Sequence, residues 1–148
     1  MKKSTFLSLL AIVLLSAFAL VNDTRAQTSV SSQDGLDAVK AAKDNHKIVY
    51  EDGNVRVLQV VCLPGKEEPV HTHKFKSVMW ITQPGSLTYY IYNYNTKHQL
   101  VKKDSVSIKT ADEKMNFGEL MEPEGPHAIK NIGATIFMAY RVEYKKKF

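Results

Sequence analysis

Five histidines stand in this chain of 148 residues, and three of them carry a spacing that could do chemistry. His71-Thr72-His73 places two imidazoles two residues apart, and Pro123-Glu124-Gly125-Pro126-His127, with Asn131 four residues on, supplies a third. Residues two apart on a strand share a face, about 7 Å apart along the backbone, so His71 and His73 can converge on one point. His127 would reach the same point from a neighbouring strand. Neutral imidazole is a common ligand for first-row metals, and three of them leave coordination positions open to water or substrate. His46 and His98 lie in polar contexts and are expected to be solvated. Glu67, Glu68, Glu119 and Glu122 are carboxylates near turns and are not assigned to the site. No Gly-x-Ser-x-Gly elbow or phosphate-cradling glycine loop is present.

These residues need strands to position them, and the chain supplies many. Ile48–Tyr50, Val55–Leu63, Val70–His73, Ser77–Thr82, Ser86–Tyr94, Gln99–Lys103, Val106–Thr110, Asn116–Met121, Ala128–Lys130 and Thr135–Tyr144 are rich in β-branched and aromatic residues. Turn residues separate most of them, as at Asp52-Gly53-Asn54 and Gln83-Pro84-Gly85. Many short strands without a long amphipathic helix predict an antiparallel sandwich or barrel. A short helix over Leu36 to Lys43, capped by Asp34, or an extended arm would precede it. In the last strand Phe137, Ala139, Arg141 and Glu143 alternate with Ile136, Met138, Tyr140 and Val142. Charges begin only at Arg141, so its first half is expected to be buried on both sides.

The start of the chain reads as an export signal. Lys2 and Lys3 precede an almost wholly apolar run from 6 to 21, and Ala26 offers a small residue for cleavage. The run of 16 residues falls short of the roughly 20 needed to cross a bilayer. The expected layout is a signal peptide over 1–26, an arm over 27–45 and a barrel over 46–148. The product would be periplasmic or extracellular, with no stable membrane insertion after cleavage. Without its first 26 residues the chain keeps 17 basic and 14 acidic residues, a formal charge of +3, and part of that is the Lys145–Lys147 tail. So small an excess gives no reason to expect nucleic-acid binding. Cys62 is the only cysteine, which excludes an intramolecular disulfide, and its apolar setting predicts a buried thiol.

Taken together, the spacings resemble those of a known superfamily. Gly65, then His71-x-His73 and a turn glycine at Gly85, is similar to the first motif of the cupins. Pro123-x-Gly125, then His127 and Asn131, is similar to the second. Asn54-Val55-Arg56-Val57-Leu58 and His127 to Gly133 resemble the small single-domain cupins that include proteins of β-alanine degradation. The resemblance covers residues 46 to 144. It implies an all-β fold, a double-stranded β-helix or jelly-roll barrel, often a homodimer, with a divalent transition metal inside. The family's metal ligands fall on His71, His73 and His127. Its glutamate falls on Ser77 or Val78, neither of which can replace a carboxylate. One residue rather than two separates Gly125 from His127.

Two functions follow as expectations. One is an exported barrel that binds Zn, Ni, Cu, Fe or Mn through three histidines and a small organic ligand beside the metal. The other is a metal-free ligand-binding or dimerisation barrel without catalysis. Loss of an anionic ligand favours Zn, Ni or Cu over harder ions. The ligand pocket is expected to include Met79 and Trp80, just after the His-x-His segment, and Tyr90 and Tyr92, whose rings could form an aromatic wall. No catalytic residue is assigned, and the reaction is left open.

Overall fold

The computed structural model describes residues 33–109 and 117–146. The proposed signal peptide and most of the leading arm therefore lie outside the described residues. A 3-10 turn at Gln33–Leu36 leads into one turn of helix, α1 (Ala38–Ala41). The cap is Asp37 rather than Asp34, and its carboxylate accepts from the Val39 amide at 3.2 Å. Among the described residues no helix is long and apolar enough to cross a membrane.

Nine strands follow among the described residues: β1 (His46–Glu51), β2 (Val55–Cys62), β3 (His71–His73), β4 (Ser77–Gln83), β5 (Ser86–Tyr94), β6 (Leu100–Lys109), β7 (Phe117–Met121), β8 (Glu124–Asn131) and β9 (Phe137–Tyr144). They form a five-stranded sheet ordered β1-β2-β9-β4-β7 and a four-stranded sheet ordered β3-β8-β5-β6. Every ladder is antiparallel. Two stacked antiparallel sheets joined by crossovers make a double-stranded β-helix, the expected class. One difference is that the two strands expected over 99–110 form a single strand, β6. Its long pairing with β5 carries it through Asp104 and Ser105.

Apolar side chains fill one end of the interior. Leu58, Val60, Cys62, Ile81, Leu87, Phe137 and Ala139 are buried and in mutual contact. Cys62 is fully buried, as expected, and burial pushes its thiol up to about 11, so it is not a reactive thiolate. Where β2, β9 and β4 continue past this cluster, their inward positions turn polar. The alternating pattern of β9 buries Phe137, Ala139, Arg141 and Glu143, while Ile136 is exposed and Met138, Tyr140 and Val142 are half-buried. The expectation that its first half is buried on both sides is thus corrected. One face of this strand is inside along its whole length, and the inside end is charged.

Those charges are paired. Arg56 donates from Nε to Glu143 at 2.5 Å and from both terminal nitrogens to Asp37 at 3.0 and 3.3 Å. The segment before β1 is therefore fastened to the barrel interior, with Leu36, Ala38 and Ala42 buried beside it. Such a pair is unfavourable to desolvate alone, and the two-carboxylate arrangement offsets that cost.

Candidate metal centre

Strand pairing explains why the histidines meet. His71 on β3 lies opposite His127 on β8, and His73 lies opposite Glu124. The ring centroids of His71 are 5.2 Å from His73 and 4.3 Å from His127, and those of His73 and His127 are 5.6 Å apart. All three residues are buried. A fourth ring joins them: His46, at the start of β1, is 4.5 Å from His71 and 5.1 Å from His73. The expectation that His46 is solvated is wrong. It is 3% exposed, and the helical turn ending at Ala42 delivers it inward, its backbone amide donating to Ala42 O. His98 sits in an exposed turn, as expected.

Each of the three sequence-assigned rings is fixed by its Nδ1. That of His71 meets Pro69 O at 2.9 Å, that of His127 meets Gly125 O at 2.8 Å, and that of His73 meets Glu143 Oε1 at 2.8 Å. A carbonyl can only accept, so Nδ1 carries the proton in His71 and His127, and Nε2 keeps its lone pair. The carboxylate does the same for His73. Nε2 of His71 is buried and has no hydrogen-bond partner among the described residues, and neither has Nδ1 of His46. The single residue between Gly125 and His127 serves this arrangement, because it lets the Gly125 carbonyl turn back onto the His127 ring.

The rings are neutral. Burial holds His46 down to about 3, with the His127 ring adding to the shift. Burial likewise holds His71, His73 and His127 below the usual histidine range, and the Arg141 charge pushes the same way in each. A depressed histidine is a histidine ready to donate a lone pair at neutral pH. Glu68 Oε2 stands 3.8 Å from His71 Nε2. That is too long for a hydrogen bond, and with His71 neutral it is not an ion pair. Both Glu68 oxygens lack partners among the described residues, and burial raises this carboxyl to about 8.

The place of the family's glutamate is filled differently. Ser77 is buried, its hydroxyl unpartnered among the described residues, and it lies across the ladder from Glu143. A carboxylate is thus present at this level of the barrel, but it comes from β9 and grips the far side of His73. A second carboxylate, Glu124, accepts from Tyr89 Oη at 3.0 Å and from Arg141 Nη1. Among the described residues two donor sets have ligand atoms within 4.8 Å of one another, His46, His71 and His73, and His73, Glu124 and His127, so the three sequence-assigned rings are divided between two sets that share His73. Neutral imidazoles, three of them tethered at Nδ1, with one carboxylate in the second set, suit a divalent transition ion. The donor set fits the group.

A cavity of about 220 Å³ adjoins the cluster, lined by the histidines and by Val60, Met79, Leu87, Tyr89, Ile129 and Phe137 among others. Met79 lines it. Trp80, Tyr90 and Tyr92 do not line it. Trp80 points to the outer face of its sheet, 44% exposed, and lies over Gly118, where a Cβ would come within 3.1 Å of its ring. Tyr90 also faces outward, with Lys102 Nζ 3.4 Å from its ring centre and 5.9 Å from that of Tyr92. The inward aromatic is Tyr89, stacked on His127 at 4.8 Å and 14°. Parity along β5 separated these two faces in the sequence, and Leu87, two residues before Tyr89, marked the inner one. Arg141, Glu143 and Glu124 were also missed, although Arg141 and Glu143 share parity with Phe137 and Ala139.

No family model and no curated protein matches the chain. Solved structures do match. A cupin domain from Bordetella pertussis superposes with a TM-score of 0.52 at 18% identity, over 68% of this chain and 92% of that one. An RmlC-like cupin family protein with a double-stranded β-helix fold, from Methanocaldococcus jannaschii, gives 0.47 at 14% identity, over 67% and 77%. At such identities the likeness is one of fold. With two stacked antiparallel sheets and a histidine-lined interior, the chain has the fold of a small cupin.

Proposed function

We propose that this barrel binds one divalent transition-metal ion through His71, His73 and His127, with His46 or Glu124 completing the donor set, and a small organic ligand beside it. The observation that carries the reading is the tethering of three buried imidazoles by Nδ1, which leaves Nε2 as the free nitrogen of each. A metal bound there would supply Lewis acidity toward an oxygen-bearing ligand. The chain's own residues do the rest. Glu143 keeps the His73 proton on Nδ1, the Pro69 and Gly125 carbonyls do so for the other two rings, and the apolar walls limit water. Tyr89 stacks on His127 and fixes Glu124 by its hydroxyl.

Export belongs to the same proposal, supported by the layout of residues 1–26. A homodimer is supported by apolar side chains on the outer face of the five-stranded sheet, where Trp80 and Leu120 are 44% and 60% exposed.

The test is metal content and thermal stability of untagged protein exposed to Zn, Ni, Cu, Fe or Mn. About one equivalent per chain is expected, with stabilisation of about 2.7 kcal/mol at a hundredfold excess over Kd. Uptake should collapse in His73→Ala. Less than about a tenth of an equivalent with no thermal shift, or full uptake by His73→Ala, would refute the assignment.

A further inference from the structure

Among the described residues Arg141 is the one cation lining the cavity, and it is only partly used. Its side chain is 3% exposed, and Nη1 donates to Glu124. Nε and Nη2 are buried with no hydrogen-bond partner among the described residues. These two nitrogens share one edge of the guanidinium and present parallel N–H groups, the fork that takes a carboxylate at two points. The charged groups nearby do not fill it. Glu143 Oε1 is 3.9 Å from Nε, beyond hydrogen-bond reach, and already accepts from His73. Glu124 is occupied on the Nη1 side and by Tyr89. A buried cation with two orphaned donors is unfavourable unless something completes it.

The space beside the fork is mostly apolar, walled by Val60, Met79, Leu87, Ile129 and Phe137, with the exposed carboxylate of Glu119 also on its lining, across Met79 from Arg141. Its 220 Å³ equals the liquid share of about seven water molecules, which suits a short hydrocarbon body. We propose that Arg141 receives the oxygen pair of a small organic acid whose apolar body occupies this cavity. This names the ligand class of the metal-centre reading and rests on it for the site, but the guanidinium fork exists whether or not a metal is bound.

The test titrates isovalerate and benzoate into the full chain at fixed ionic strength, each against its uncharged amide and against sulfate. Binding is read by two-dimensional NMR, on chelator-treated and Zn-loaded protein. The acids should bind at least about tenfold tighter than the amides and tighter than sulfate. Arg141→Gln should erase the preference for acid over amide while its Zn uptake stays at the wild-type level. If circular dichroism shows Arg141→Gln to be unfolded, Met79→Trp keeps the guanidinium and fills the cavity, and should weaken the acids by about tenfold or more. Equal binding of acid and amide, tighter binding of sulfate, no binding of either acid, an acid preference that survives in folded Arg141→Gln, or undiminished binding to Met79→Trp overturns the proposal. Zn uptake without acid binding overturns this inference alone. Acid binding without Zn uptake overturns the metal centre alone.

Discussion

At the scale of single residues, the site depends on which nitrogen of each ring is free. Glu143 decides this for His73, and it is itself gripped by Arg56. Glu143→Gln keeps the shape but loses the charge that favours Nδ1–H on His73. Zn affinity should fall by about 10- to 100-fold in a chelator competition, with the far-ultraviolet circular dichroism unchanged. An unaltered affinity would show that the tether is incidental. The three assigned rings were legible in the sequence because His-x-His has strand parity and Pro-x-Gly marks the turn before His127. His46 was not. It is the only buried residue of β1, whose burial runs inside once and outside five times, so no alternation announces it. Its neighbours Asp44, Asn45 and Lys47 read as a polar loop, and only the packing of the preceding helical turn sends the ring inward. The carboxylate of Glu143 was hidden for another reason: a charge near a strand's end ordinarily faces water, and here Arg56 and Asp37 wait for it inside.

At the scale of elements, the segment before β1 is part of the site's frame. Asp37 caps α1, pairs with Arg56 of β2, and through Arg56 reaches Glu143 of β9 and so His73 of β3. The expected boundary between arm and barrel at residue 46 falls between α1 and the first site histidine. Asp37→Asn should cost about 1–3 kcal/mol in urea unfolding, since it leaves a buried guanidinium short of one charged partner. A change below about 0.5 kcal/mol would mean that the segment is a loose appendage. Most strands were legible because turn residues bracket β-branched runs. The inner face of β5 carries Tyr89 rather than Tyr90: the two rings have the same chemistry, and the parity shared with buried Leu87 is the signal that sets them apart.

At the scale of the whole molecule, the interior combines an apolar end with a polar end, and the polar end sets the dependence on pH. In metal-free protein the four buried histidines stay neutral while the unfolded chain takes up protons below about 6.5. Their contribution is present above that pH and is lost as pH falls. Glu68 and Glu143 act the other way. Burial raises both, opposed in Glu143 by the hydrogen bond and charge of Arg56, so the folded state retains protons that the unfolded chain releases above about 4.5. Four histidines outweigh two acids between those values, and above 6.5 Glu68 carries the opposing slope. Stability in the presence of chelator should therefore peak near pH 6.5. Glu68, raised to about 8, should account for a decline of about 2 kcal/mol between pH 6.5 and 8. Urea midpoints of Glu68→Gln should lose most of that decline, and an unchanged slope would show that Glu68 is ionised in the fold. The barrel itself was legible from strand number and turn spacing, whereas parity put Arg141 and Glu143 on the face of Phe137 and Ala139 and only closure keeps that face inside to its charged end.

The central claim is that the imidazoles converge on one metal ion through their free nitrogens. X-ray absorption of the Zn-loaded full chain measures this most directly. The account predicts nitrogen and oxygen scatterers at about 2.0–2.1 Å, with the outer-shell signature of three or four imidazoles. A shell of oxygen alone, or one with fewer than two imidazoles, would contradict it.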